Sequence, residues 1–175
     1  MGCTTCKKND HCCIFNRDGF CFVGLKNAEK IKKKINKDYS YFLDYSPLSK
    51  KLINELKTDD PVLEGALRYK QLDEGKILRL KTQKNGRCIF LQKNGKCAIY
   101  DIRPNICKIF PYWVMKLTNG KMKVIAHDPF FKCNIFKDIL PKQEITNLKK
   151  VFKEIQREDK EYRPKIKAFV KKLEK

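Results

Sequence analysis

Nine cysteines in 175 residues, grouped rather than scattered, constrain this chain more than any other feature. Cys3 and Cys6 form a Cys-x-x-Cys pair, Cys12 and Cys13 an adjacent doublet, and Cys88, Cys97 and Cys107 follow nine and ten positions apart, with Cys133 further on. Thiolate ligands for zinc or an iron–sulfur cluster must converge, so they come as short local pairs joined by residues from elements folded alongside. The Cys-x-x-Cys pair taken alone suits a redox dithiol equally well. Adjacent cysteines point apart and seldom bridge one another, yet they can serve two metals or two edges of one cluster. A simple zinc ribbon would want a second spaced pair instead.

The size of the chain narrows these choices. At 20.7 kDa it suits one domain with a helical appendage and can bury a core without disulfides. No apolar run reaches the eighteen or more residues of a membrane span, and "MGCTTCKKND" lacks the basic-then-apolar order of a signal peptide. The expectation is a cytoplasmic protein away from the membrane. Gly2 and Cys3 begin a lipidation-like start, but Lys7 and its neighbours depart from the myristoylation pattern. Inside a cell, cysteines at this density are metal ligands or catalysts more often than bridges. Proteins from hot sources are the exception, and 33 Lys against 7 Arg is a composition of that kind, which leaves disulfides open.

The net charge of +20 suggests polyanion binding, but the charge is diffuse. "KNAEKIKKKINK" at 26 to 37 carries six Lys, and the stretch from 141 carries twelve basic residues against six acidic ones, both reading as solvated helix faces. Lysine supplies non-specific phosphate contact, whereas base-edge recognition favours the scarce arginine. Weak, unselective polyanion binding is the expectation.

Along the chain, the first 22 residues show no sustained period and read as a loop shaped by ligand geometry. Residues 28 to 35 are weakly helical. "SPLSKKLINELK" predicts a helix capped by Ser46 with Pro47 in its first turn. Recurring "DEG", "KNG" and "KNG" turn signals between alternating residues predict an antiparallel meander, with strands near 66 to 72, 77 to 82, 87 to 91 and 96 to 100. This puts Cys88 and Cys97 just after their turns, at comparable heights on neighbouring strands. "DIRPNICKIF" predicts a short helix started by Asp101 and Pro104, with Cys107 about one turn in. "KMKVIA" predicts a further strand. Ile145, Leu148, Val151, Phe152 and Ile155 form a helical stripe that resumes at Ile166, Phe169, Val170 and Leu173 after a break or kink at Pro164. The fold class expected is therefore α+β: a small antiparallel meander with flanking helices wrapped around a cysteine-ligated metal centre. Residues 1–140 would form the metal-binding domain and 141–175 a C-terminal helical arm packed on it.

"CTTC…CC" at 3 to 13 followed by "GRCIFLQKNGKCAIYDIRPNICKIFP" at 86 to 111 resembles the YkgJ-type cysteine-cluster family, the CxxCxxCC zinc- or iron-chelating domains. The resemblance rests on Cys88, Cys97, Ile99, Tyr100, Arg103, Pro104, Cys107, Phe110 and Pro111, and extends from residue 3 to Cys133. It implies metal ligation by Cys3, Cys6, Cys12, Cys13, Cys88, Cys97, Cys107 and Cys133. The family keeps a shorter gap before the doublet than "KKNDH" supplies here, which leaves open which of Cys12 and Cys13 ligates and whether His11 assists. Cys21, between Phe20 and Phe22, has no counterpart and reads as a small buried apolar residue. Arg103 is the residue expected to pair with the negative charge of a thiolate-bound cofactor. Tyr112 and Trp113 are expected to shield the site, and His127 and Asp128 to serve a turn. The cofactor expected is an iron–sulfur cluster, [4Fe–4S] before others, or zinc. The functions implied are an iron–sulfur oxidoreductase or electron-transfer component with a protein redox partner, and, against these, a structural zinc module for nucleic-acid or protein interaction.

Overall fold

The computed structural model describes residues 13, 21–47, 50, 76–110, 112–117, 119–126 and 140–173. Helix α1 spans Leu25–Ile35 and buries Ala28 and Ile31 on one face. Asn36 ends it in the left-handed conformation (φ 51°), donating its N–H to the Lys32 carbonyl, while Lys32, Lys33 and Lys34 complement the carbonyl end of the helix dipole. A single turn, α2 (Tyr39–Phe42), leads into β1 (Leu43–Pro47), which pairs antiparallel with β2 (Lys76–Leu80) from Leu43 opposite Leu80 to Pro47 opposite Lys76. Ser46 and Pro47 are thus strand residues rather than the start of a helix. Proline is tolerated there because it sits at the last position of the ladder. The rest of that expected helix, except Lys50, and the strand expected at 66 to 72 lie outside the described residues.

The meander expected beyond β2 takes another form. In place of strands at 87 to 91 and 96 to 100 there are two tight turns held by single bridge pairs, Thr82 with Cys88 and Leu91 with Cys97. Each turn uses four residues to reverse, and another reversal follows its cysteine at once, with Leu91 N–H donating to Cys88 O at 2.9 Å and Tyr100 N–H to Cys97 O at 3.3 Å. Too few residues remain between reversals for a ladder. A 3₁₀ turn (Tyr100–Ile102) then leads through Arg103 and Pro104 into α3 (Asn105–Ile109), close to the helix expected after the Arg-Pro pair. Strands β3 (Tyr112–Lys116) and β4 (Met122–Ala126) form a second antiparallel pair.

Helix α4 (Lys142–Leu173) passes through Pro164 as one element, so the expected break is absent. Pro164 removes the hydrogen bond to the Lys160 carbonyl, but both residues are exposed, and water can satisfy that carbonyl. The stripe read from the sequence divides along the helix. Leu148 and Ile155 bury with Ile109, Tyr112 and Val114 in one cluster, with Val151 and Phe152 packed against it, while Ile166 and Phe169 enter the main core with Val23, Ile31, Phe42, Ile77 and Leu78. Tyr39 meets Phe169 edge-on at 4.7 Å. The architecture is α+β, with helices and two small antiparallel sheets. No helix among the described residues is long and apolar enough to cross a membrane.

Candidate metal centre

The segments that place the thiols are copies of one device. "QKNGRCIFL" at 83 to 91 and "QKNGKCAIY" at 92 to 100 repeat with a nine-residue period, and their backbone bonds repeat with them. Gln83 N–H donates to Arg87 O at 2.7 Å and Gln92 N–H to Lys96 O at 2.9 Å. Asn85 accepts from Arg87 N–H at 3.1 Å, and Asn94 accepts from Lys96 N–H at 3.0 Å. Gly86 and Gly95 take φ near the same value, 77° and 78°, where a side chain would be strained. A third copy, Leu117 to Lys121 with Gly120 at φ 78°, closes the β3–β4 hairpin and carries Met122 where the other two carry cysteine. In each thiol turn the N–H two residues after the cysteine, that of Phe90 or Ile99, donates to the sulfur. Such bonds favour the thiolate and tune a metal bound to it.

Other elements bring three more thiols to these two. Cys88 N–H donates to Cys13 O at 2.6 Å, and Leu80 N–H to Cys21 O at 3.0 Å, which ties both N-terminal cysteines to the β2 region. Helix α3 supplies Cys107, whose sulfur lies 3.1 Å from that of Cys21. Electrostatically, Cys21 feels Cys107, Cys88 and Cys13; Cys88 feels Cys13, Cys107 and Cys97; Cys97 feels Cys13 and Cys107. Each of the five is therefore coupled to at least three others. Cys21 is buried as expected, but it stands among the thiols and not apart from them. No group of three or more Cys, His, Asp or Glu among the described residues has the spacing of a finished ion site. Cys3, Cys6, Cys12, Cys133, His11, His127 and Asp128 lie outside the described residues.

Burial sets the acidity of the cluster. It pushes the Cys88 thiol up to about 12 and the Cys97 thiol up to about 11, against the pull of the Phe90 and Ile99 N–H groups. Cys21 is raised well above the usual thiol range by its hydrogen bond with Cys107, then by burial and the neighbouring thiols. Ligation must therefore displace a proton from each of these sulfurs. The guanidinium of Arg103 stacks over the Tyr100 ring at 3.9 Å, and its positive charge lowers the Cys97 value. Its Nε is buried without a hydrogen-bond partner among the described residues. A buried, unpaired cationic donor near the Cys97 sulfur suits a thiophilic metal with an anionic shell.

The expectations for the aromatic pair divide. Tyr112 packs into the cluster formed by Ile109, Val114, Leu148 and Ile155, on the α4 side; the Trp113 side chain lies outside the description. A small cleft between α1 and α4, lined by Leu25, Lys26, Glu29, Glu158, Glu161 and Lys165, holds no thiol, and Lys26 and Glu161 pair across it at 2.8 Å.

The profile of a family described as CxxCxxCC, "Putative zinc- or iron-chelating domain", matches residues 2–165, from just before Cys3 into α4. The chain belongs to the CxxCxxCC family. The zinc- or iron-chelating role in that family description fits a cluster of thiols. A curated relative, Uncharacterized protein MJ0661 of Methanocaldococcus jannaschii, is 42% identical over 72 residues, which cover 41% of this chain and 38% of that protein. The chain thus spans well under half the length of that relative. No solved structure matches.

Sequence reasoning missed three residues that position the CxxCxxCC thiols. Asn105, two residues before Cys107, hydrogen-bonds to Glu158 of α4 and accepts from Lys108 Nζ at 2.9 Å. Glu158 in turn lies against Gly24, where an added Cβ would come within 2.7 Å of its Oε2. Polar residues on a basic helix give no signal of such a contact.

Proposed function

We propose that this CxxCxxCC protein holds an iron–sulfur centre through Cys13, Cys88, Cys97 and Cys107, together with Cys3, Cys6, Cys12 and Cys133, and acts in the cytoplasm as an electron-transfer component or oxidoreductase. The carrying observation is the gathering of five thiols from four separate segments, two of them receiving backbone N–H bonds. Such a centre, when bound, exchanges single electrons. The chain's own residues hold its sulfurs, bury that of Cys88 and partly bury the other described ones, and place the Arg103 cation near Cys97. The adjacent doublet and the lack of a second Cys-x-x-Cys favour a cluster over common zinc modules. The domain division at 140 and a protein redox partner belong to the same proposal.

The test is metal and sulfide analysis with visible spectroscopy on protein purified without oxygen. Brown protein with iron, acid-labile sulfide and a reversible one-electron signal between about −700 and +450 mV is expected. Colourless protein with stoichiometric zinc, refractory to reconstitution, would favour a second reading as a structural zinc module for protein or nucleic-acid contact. The basic surface supports that reading.

A further inference from the structure

The structure holds Cys21 in a way that packing alone does not require. Its sulfur is 3.1 Å from that of Cys107, 86 positions away in sequence, and neither forms a disulfide. Both carriers are anchored by their backbones. The Cys21 carbonyl accepts from Leu80 and Val23 N–H donates to Leu78 O at 3.1 Å, which fastens the segment along β2. Cys107 N–H donates to Pro104 O at 2.9 Å at the start of α3. A small apolar filler needs burial, not a fixed thiol at contact distance with Cys88 and Cys13 close behind it.

We infer that Cys21 is a metal ligand, and that Cys21 and Cys107 bind one and the same thiophilic ion, zinc(II) or an iron carrying two protein thiolates. This rests on the metal-binding reading above and deepens it. A tetrahedral ion with metal–sulfur bonds of about 2.3 Å separates any two of its sulfurs by about 3.8 Å. The observed pair has to open by only about 0.7 Å to reach that separation. Four cysteines on a [4Fe–4S] cluster give each iron one thiolate, whereas four on a [2Fe–2S] cluster give each iron two. The close pair therefore fits a single ion or a two-iron cluster, and not two corners of a cubane. Each thiol loses one proton on ligation and no sulfur changes oxidation state.

The test titrates the full chain, reduced and without oxygen, with cobalt(II), whose charge-transfer absorption reports thiolate ligation. Wild type is compared with Cys21→Ala, which keeps a small apolar group, and Cys21→Ser, which keeps the size but not the soft donor. Both variants are expected to keep the wild-type circular dichroism, to bind cobalt about tenfold or more weakly, as even loss of a supporting partner does, and to show less charge-transfer absorbance per ion. Wild-type affinity and absorbance in either folded variant would overturn the inference. If wild type takes up neither cobalt nor iron, the metal-binding reading itself fails. A measurement on the unaltered chain covers variants that do not fold: the Mössbauer spectrum after iron reconstitution. Mononuclear thiolate iron or [2Fe–2S] supports the shared ion, and [4Fe–4S] as the sole centre overturns it.

Discussion

Glu158 shows how single residues away from the sulfurs govern them. It is an acidic side chain buried between three helices: it lies against Gly24 at the start of α1, hydrogen-bonds to Asn105 of α3, and belongs to α4. Burial raises its pKa from the ordinary 4.5, with Asn105 and Lys108 opposing. A carboxyl with a raised folded value adds stability below its unfolded value and loses that stability as pH rises through the folded one. The stability difference between Glu158→Gln and wild type should therefore shift in the variant's favour as pH increases from about 4.5; chemical denaturation across that range reads it. Asn105→Ala removes the partner and should cost about 1–3 kcal/mol. Gly24→Ala drives a methyl group into Glu158 at an ordinary backbone angle (φ −69°), so its cost, about 1–3 kcal/mol, comes from collision and not from backbone strain. Relief of that cost in Gly24→Ala/Glu158→Ala would confirm the contact, and additive losses would refute it.

Among elements, the nine-residue turn is the unit that presents a thiol. Gly86 and Gly95 allow its reversal, and the same turn at Gly120 stands free, with nothing within 4 Å of an added Cβ. Alanine at any of the three should cost about 1–2 kcal/mol of backbone strain. Only at Gly86 and Gly95 should metal content fall as well, because only there does the turn aim a thiol; equal metal loss in Gly120→Ala would remove the turn's special role. The turns, α1, the short helix after Arg103-Pro104, the strand at 122 to 126 and the α4 stripe were all legible, since local chemistry and periodicity specify them. The strands expected at 87 to 91 and 96 to 100 were not, because a turn followed by Cys-x-apolar imitates alternation without a ladder. Cys21 is buried among apolar residues as read, but its contact with another thiol was not legible, for a different reason. Phe20 and Phe22 describe its neighbours along the chain, and its thiol neighbour arrives from residue 107.

On the scale of the whole molecule, α4 joins the two apolar clusters. Ile166 is 1% exposed and packs into the cluster that includes Cys21 and Cys88. Ile166→Ala should cost about 2–5 kcal/mol and loosen metal as well, since the energy of binding is partly energy of folding. Leu148→Ala, in the other cluster, should cost a similar amount while metal is retained better per unit of stability lost. The net charge of +20 acts over the whole surface. Binding to unrelated DNA and RNA sequences should be similar in strength and collapse between about 50 and 200 mM salt; sequence-selective binding at the higher salt would raise the nucleic-acid reading above electron transfer. The position of α4 also imposes a timetable. Synthesis proceeds at about 5–20 residues per second, so the stretch from Cys107 to Ile166 takes about 3–12 s to make. During those seconds the turn cysteines are already part of the chain while the helix that packs against their core is still being added. In order of synthesis the turns therefore come before the helix whose Ile166 and Phe169 complete the core around Cys21 and Cys88.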